Sequence, residues 1–100
     1  MNIQFNYLYR DGSNYKKFGN VIFSNTTNIP FSDIENYIKS NLIDGEFFIA
    51  SDWALPELFF EVTNDDDHNW HEFYRIEEAN TADKPQEDIL CLIKIITPNF

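Results

Sequence analysis

The residues best suited to chemistry in this chain lie together between positions 65 and 72. This run holds imidazole and carboxylate side chains, which borderline metals such as zinc accept together: Asp65, Asp66, Asp67, His68, His71 and Glu72. On a helical turn, the spacing of three would place both histidines on one side, whereas on a strand they would point to opposite faces. One hypothesis is therefore a metal-binding module or metal-dependent enzyme that uses His68, His71 and Asp67.

Two known metal motifs do not fit this run. His71-Glu72 begins like the zinc-protease helix motif, but Arg75 stands where the second histidine of that motif is required. The three consecutive aspartates lack the alternating acids and the central glycine of a calcium loop. The simpler interpretation is a solvated acidic turn flanked by Trp70 as a core aromatic, and we expect no cofactor.

Other catalytic chemistry has little support in the sequence. Cys91 lies in an apolar stretch, where we expect a buried and unreactive thiol. No serine lies in a Gly-x-Ser-x-Gly motif, and three glycines in total provide no phosphate-binding loop. The sequence therefore predicts no catalytic residues and a protein that is not an enzyme.

The charge of the chain is concentrated in its second half. Residues 1–50 carry five acids and four bases, whereas residues 51–100 carry twelve acids and three bases, out of a net charge of −10. Such a surface repels nucleic acid and anionic membranes and attracts basic proteins. We therefore expect a basic protein partner, with no direct binding of nucleic acid or membrane.

Length and composition indicate a single domain over residues 1–100. The chain is 43% apolar and 17% aromatic, which is enough for a packed core despite its acidity. One cysteine allows no internal disulfide, the N-terminus does not resemble a signal peptide, and no apolar run approaches the ~20 residues needed to span a bilayer. These features predict a cytoplasmic protein.

Hydrophobic spacing predicts the element order β-β-α-β-β-α. Alternating residues 2–10 and 15–24 form a hairpin around Asp11-Gly12-Ser13-Asn14, with Gly19 marking a bulge or a close backbone approach. A helix follows Ser32, which with Glu35 fits a capping box, and ends at Asp44-Gly45. Residues 46–50 form a strand or a turn.

The second half predicts two more strands and a helix. Residues 57–63 and 70–77 are expected to be strands joined by the acidic run. Spacing over 86–97 favours a helix, although its isoleucine-rich end leaves a strand open. The expected fold is α+β, a two-layer sandwich with an antiparallel sheet of about four strands and helices on one face.

Four blocks of the sequence resemble a small bacterial family of single-domain acidic proteins with no established activity. The resemblance covers about residues 5–75, and the blocks that carry it are Tyr-Leu-Tyr-Arg-Asp at 7–11, Phe-Gly-Asn-Val-Ile-Phe-Ser-Asn at 18–25, Leu-Ile-Asp-Gly-Glu-Phe-Phe at 42–48 and Asp-His-Asn-Trp-His-Glu-Phe at 67–73. It implies no catalytic residues. In size and acidity the chain is also similar to toxin-immunity proteins, antitoxins and phage-encoded inhibitors.

The sequence thus predicts a binding protein of the immunity or inhibitor type. Its acidic half would dock on a basic protein, of which a nucleic-acid-binding effector is one kind. Aromatic anchors and carboxylates are expected to form the contact: Asp65, Asp66, Asp67, Trp70, Glu72, Tyr74, Glu77 and Glu78. A homodimer that pairs through an edge strand is a further alternative.

Overall fold

A computed structural model describes residues 1–60, 68–80 and 82–97 of the chain. These residues form an α+β fold, as the sequence predicts. Its elements in chain order are β1 Ile3–Arg10, β2 Lys16–Ser24, α1 Phe31–Ser40, β3 Phe47–Ile49, β4 Trp70–Glu78, β5 Glu87–Asp88 and α2 Ile89–Ile96. A 3-10 turn over Ala50–Trp53 follows β3.

The central hairpin confirms the prediction from alternation. β1 and β2 pair antiparallel from Ile3 opposite Phe23 to Arg10 opposite Lys16. In the turn, the backbone N–H of Asn14 donates to the Asp11 carbonyl at 3.0 Å, and Asn14 adopts a φ of 67°. Asparagine tolerates this left-handed conformation better than most residues, which explains its place in the turn.

The sheet differs from the prediction in strand number and direction. It has five strands in the order β3-β4-β1-β2-β5, and β5 runs parallel to β2. The chain after β4 crosses to the far edge, where the Gln86 N–H donates to the Ile22 carbonyl at 2.9 Å. β5 then extends beside β2 for two residues before α2 begins, so the antiparallel four-strand arrangement was wrong in this detail.

The strand predicted over residues 57–63 does not form in its described part, residues 57–60. The Leu58 N–H donates to the His71 side chain rather than to a strand carbonyl. The strand that pairs with β4 at the sheet edge is instead β3, from Phe47 opposite Glu72 to Ile49 opposite Trp70. The remaining residues of that prediction lie outside the described ranges.

Both helices pack on one face of the sheet, which we call the core face. Ile34 and Ile38 of α1 share a single buried cluster with Leu92, Ile93 and Ile96 of α2. The inward residues of the strands complete it: Ile3, Phe5, Tyr7, Val21, Phe23, Phe48 and Ile76. In the part of the chain that the structure describes, no helix covers the opposite side, which we call the open face.

Both predicted helices form, but their bounds differ from the prediction: α1 ends at Ser40 and not at Asp44-Gly45, and α2 begins at Ile89 after β5. α1 begins after Pro30 with no side-chain cap, so Ser32 does not form the expected capping box; it lies inside the helix. α2 is a helix rather than a strand, and its Asp88 caps it by accepting the Leu90 N–H at 3.1 Å. Helical spacing turns Cys91 outward, so the thiol is exposed and not buried as expected.

Asp88 also joins α2 to the start of the loop after β2. It accepts hydrogen bonds from the Ser24 hydroxyl at 2.9 Å and from the N–H and hydroxyl of Thr26, each at 3.0 Å. Partial burial alone would raise the pKa of Asp88, but these hydrogen bonds outweigh it and lower the pKa below its usual value.

Among the described residues, no helix has the length and apolar character needed to cross a membrane.

Gly19 provides the first prediction, because the predicted close approach is present. A Cβ atom at Gly19 would lie 2.8 Å from Leu58 Cδ2, which is closer than packing allows. We expect Gly19→Val to lower the free energy of unfolding by about 1–3 kcal/mol through overpacking. In a Leu58→Ala background the same change should cost little, since the space is then free and valine favours strands. Urea unfolding of the four proteins checks this; an equal loss in both backgrounds would contradict the contact.

Candidate binding face

A bulge in β4 shapes the open face. Arg75 lies opposite Asn6 and Phe73 lies opposite Tyr7, so Tyr74 is an additional residue in β4 without a partner position on β1. Both Tyr74 and Arg75 are exposed as a result. A bulge redirects side chains and often lies beside a functional site.

The redirected Tyr74 side chain meets an aromatic residue of β2. Phe18 and Tyr74 are 61% and 54% exposed, and their ring centroids lie 6.1 Å apart with an edge-to-face angle of 66°. The Arg75 guanidinium carbon lies 5.2 Å from the centre of the Tyr74 ring. Two large aromatic rings thus remain in water at adjacent positions, where burial in an interface would be favourable.

A hollow of about 180 Å³ adjoins these two rings, and we call it the Phe18–Tyr74 hollow. Its lining also includes Asn6, Asn20 and Glu77. Neighbouring amide and carboxylate groups can therefore hydrogen-bond to a group that enters the hollow.

A second aromatic pair lies at the other end of the open face. Trp70 is 37% exposed, and its ring lies 5.2 Å from that of Phe47 on the neighbouring strand β3. The backbone N–H of Trp70 donates to His68 Nδ1 at 3.1 Å. This pair extends the aromatic surface toward the sheet edge.

Two carboxylates of the open face are paired within the protein. Arg10 Nε donates to Glu72 at 2.8 Å, and Arg10 Nη2 reaches its second oxygen at 3.4 Å. This hydrogen bond to Glu72 raises the pKa of Arg10. Arg75 lies 3.2 Å from Glu77, which also accepts from Gln4 at 3.3 Å. Neither carboxylate is therefore fully available to a partner, which the sequence did not indicate.

The structure brings together four of the predicted contact residues. Trp70, Glu72, Tyr74 and Glu77 lie along β4 on the open face, and exposed Glu78 ends the strand. The predicted residues Asp65, Asp66 and Asp67 lie outside the described ranges. Sequence analysis missed Phe18 and Arg75. Phe18 alternates on β2 with the polar residues Lys16 and Asn20, and this pattern already indicated that its side chain lies on the same face as theirs.

His71 lies within β4, whereas His68 precedes the strand, so the spacing rule for a strand does not apply to this pair. Both rings lie near Tyr9, with centroid distances of 5.2 Å for His71 and 5.5 Å for His68. His71 is fully buried on the core face, whereas His68 is exposed. A neutral imidazole has one nitrogen acceptor, and in His71 this is Nε2, which accepts the Leu58 N–H at 2.9 Å. The His68 Nδ1 acceptor likewise holds the Trp70 N–H. Asp67 is outside the described residues, and no group of three or more potential metal ligands occurs within them.

Residues 55–60 cover the part of the core face beyond the helices, and we call them the covering segment. The Tyr7 hydroxyl donates to the Pro56 carbonyl at 2.6 Å, and burial raises the pKa of Tyr7 to about 12. Leu58 lies over Gly19, and the Phe59 ring meets Tyr9 edge-on at 4.9 Å. The core face is therefore closed at this end, and the open face is the accessible one.

The burial of His71 determines its protonation. Desolvation is the main cause that lowers the pKa of His71, and nearby His68 adds to it; the Asn69 backbone and Glu57 oppose it. Within the described part of the chain, buried Nδ1 has no hydrogen bond of normal geometry, even though the Asn69 backbone lies near the ring. The geometry favours neutral His71 with its proton on Nδ1, because Nε2 must accept the Leu58 N–H.

Comparison of the chain with protein-family models, with curated proteins and with solved structures finds no match. A functional proposal must therefore rest on the geometry and charge of the protein itself.

His71 leads to a prediction of pH-dependent stability. Its pKa is below 6.5 in the folded protein, so the unfolded chain binds more protons just below that pH. Stability should therefore be full above pH 6.5 and fall as the pH falls below it. Urea unfolding at pH 8 and pH 5.5 measures this loss. His71→Gln, which keeps an acceptor for Leu58, should lose less stability over this range; an equal loss would contradict a neutral His71.

Proposed function

We propose that this protein is a non-enzymatic binding module of the immunity or inhibitor type, and that its open face docks on a basic protein. The observation that carries the proposal is the exposed pair Phe18 and Tyr74, adjacent on a sheet face that no described helix covers. Trp70 extends the same surface.

The geometry suits an interface more than a solvated sheet face. Antiparallel sheets usually present polar side chains to water, whereas here two rings are more than half exposed side by side. Tyrosine and tryptophan are frequent hot spots in interfaces, and a few such anchors carry most of the binding energy. The bulge and the Arg10–Glu72 ion pair fix side chains of this face before binding, which lowers the entropic cost of association.

Charge supports a basic partner. The chain carries a net charge of −10, which accelerates the encounter with a positively charged surface and disfavours nucleic acid and anionic membranes. Because Glu72 and Glu77 are paired internally, the attraction is carried mainly by the remaining acids. We include Asp65, Asp66, Asp67 and Glu78 among them. A nucleic-acid-binding effector is one kind of protein that presents such a basic surface.

The proposal predicts that retention of a partner depends on both salt and aromatic contact. Immobilised protein should retain a basic protein from native extract at low salt and release it at high salt, since screening shortens the range of attraction to ~10 Å at 0.1 M. Tyr74→Ala or Phe18→Ala should weaken binding of that protein by about tenfold or more, as expected for an interface anchor.

Tyr15→Ala is the matched control, because Tyr15 is 69% exposed but lies at the hairpin turn. It should leave the affinity unchanged. Binding that survives loss of both Phe18 and Tyr74, or that is insensitive to salt, would overturn the proposal.

A further inference from the structure

We infer that the Phe18–Tyr74 hollow is a binding site for a guanidinium group, supplied by an arginine of the partner, and that Arg75 competes for it from within the chain. The inference rests on the proposed role of the open face and specifies which chemical group that face recognises.

The first support is that Arg75 itself already makes the expected contacts. Its guanidinium lies 5.2 Å from the centre of the Tyr74 ring and 3.2 Å from the Glu77 carboxylate. A guanidinium is attracted by the face of an aromatic ring and pairs with carboxylates, and its weak hydration makes both contacts favourable. The site thus combines the two interactions that select this group.

The second support is the space and the chemistry around Arg75. The hollow holds about 180 Å³ next to the two rings, and Asn6, Asn20 and Glu77 are among its lining residues. Gln4 already donates to the Asn6 amide oxygen at 2.7 Å and to Glu77 at 3.3 Å, and each of these oxygens can accept a second hydrogen bond. A guanidinium has five N–H donors and needs several acceptors, whereas an ammonium is a compact charge that stacks less well on rings. We therefore expect arginine to bind better than lysine.

The third support is that Arg75 is weakly held. The Arg75 and Glu77 side chains are 57% and 40% exposed, and ion pairs between such exposed groups contribute little to stability. While Arg75 stays in place its charge offsets that of Glu77 and repels another cation. An incoming arginine must displace Arg75 into water, after which Glu77 and the Tyr74 ring are available to it.

The experiment is an NMR titration of the full chain with a blocked Gly-Arg-Gly peptide at low salt. Chemical-shift changes should centre on Phe18, Asn20 and Tyr74. Arg75→Ala should tighten binding of the peptide by about fivefold, the equivalent of ~1 kcal/mol, because the internal competitor is gone. Glu77→Gln and Tyr74→Ala should weaken it, and a Gly-Lys-Gly peptide should bind less tightly.

Asp33→Asn is the matched control for Glu77→Gln, since it removes one exposed carboxylate from α1 on the other side of the sheet. Its affinity should equal that of the wild type. Unchanged or weaker binding in Arg75→Ala, with an otherwise intact amide spectrum, would overturn the inference, as would shifts centred away from the hollow. A partner protein that still requires Phe18 and Tyr74 would then leave the proposed function standing, so the two failures are distinguishable.

Discussion

The hydrogen bond from the Leu58 N–H to the buried His71 Nε2 is the contact on which the architecture of this end of the protein depends. It ties the covering segment, residues 55–60, to β4 and leaves residues 57–60 outside the sheet. The Tyr7 hydroxyl reinforces it through the Pro56 carbonyl. Because the His71 and Tyr7 side chains are buried, losing either hydrogen bond would leave a polar group unsatisfied, which costs about 1–3 kcal/mol. The core face is thereby closed where the helices do not reach.

Closure of one face makes the other face the functional candidate. The same strand, β4, places His71 in the interior and Trp70, Glu72 and Glu77 on the outside. One side of the strand therefore contributes to the stability of the core, and the other side is available for recognition. The bulge at Tyr74 then leaves two consecutive residues, Tyr74 and Arg75, exposed, which regular alternation would not provide. A small sheet can in this way combine a sealed core with an exposed aromatic surface.

Much of this arrangement could be predicted from local sequence patterns. Period-two alternation identified β1 and β2, and helical spacing identified α2, because each pattern reports directly on one buried face. Gly19 indicated a close approach for the same local reason. The order of strands across the sheet was not predictable, since β5 joins β2 in parallel over only two residue pairs, next to a long-range hydrogen bond from Gln86. Residues 57–60 alternate like a strand, yet the Leu58 N–H donates to the side chain of His71, thirteen residues away, and not to a neighbouring strand.

The candidate site was predicted in composition but not in geometry. Trp70 and Tyr74 were expected as exposed anchors and are exposed. The pairing of Glu72 with Arg10 depends on the β1–β4 register, which pattern alone does not give. The His68 and His71 hypothesis illustrates the same limit, because only the fold shows that the His71 acceptor nitrogen holds a backbone N–H.

The central claim is that the open face contacts a basic protein, and site-specific photocrosslinking tests it most directly. A photoreactive phenylalanine analogue placed at position 74, in cells that make the protein, should crosslink to a basic protein. The same analogue at position 95, on the exposed side of α2, should not. Crosslinking from position 95 and not from position 74, or to an acidic protein, would contradict the claim.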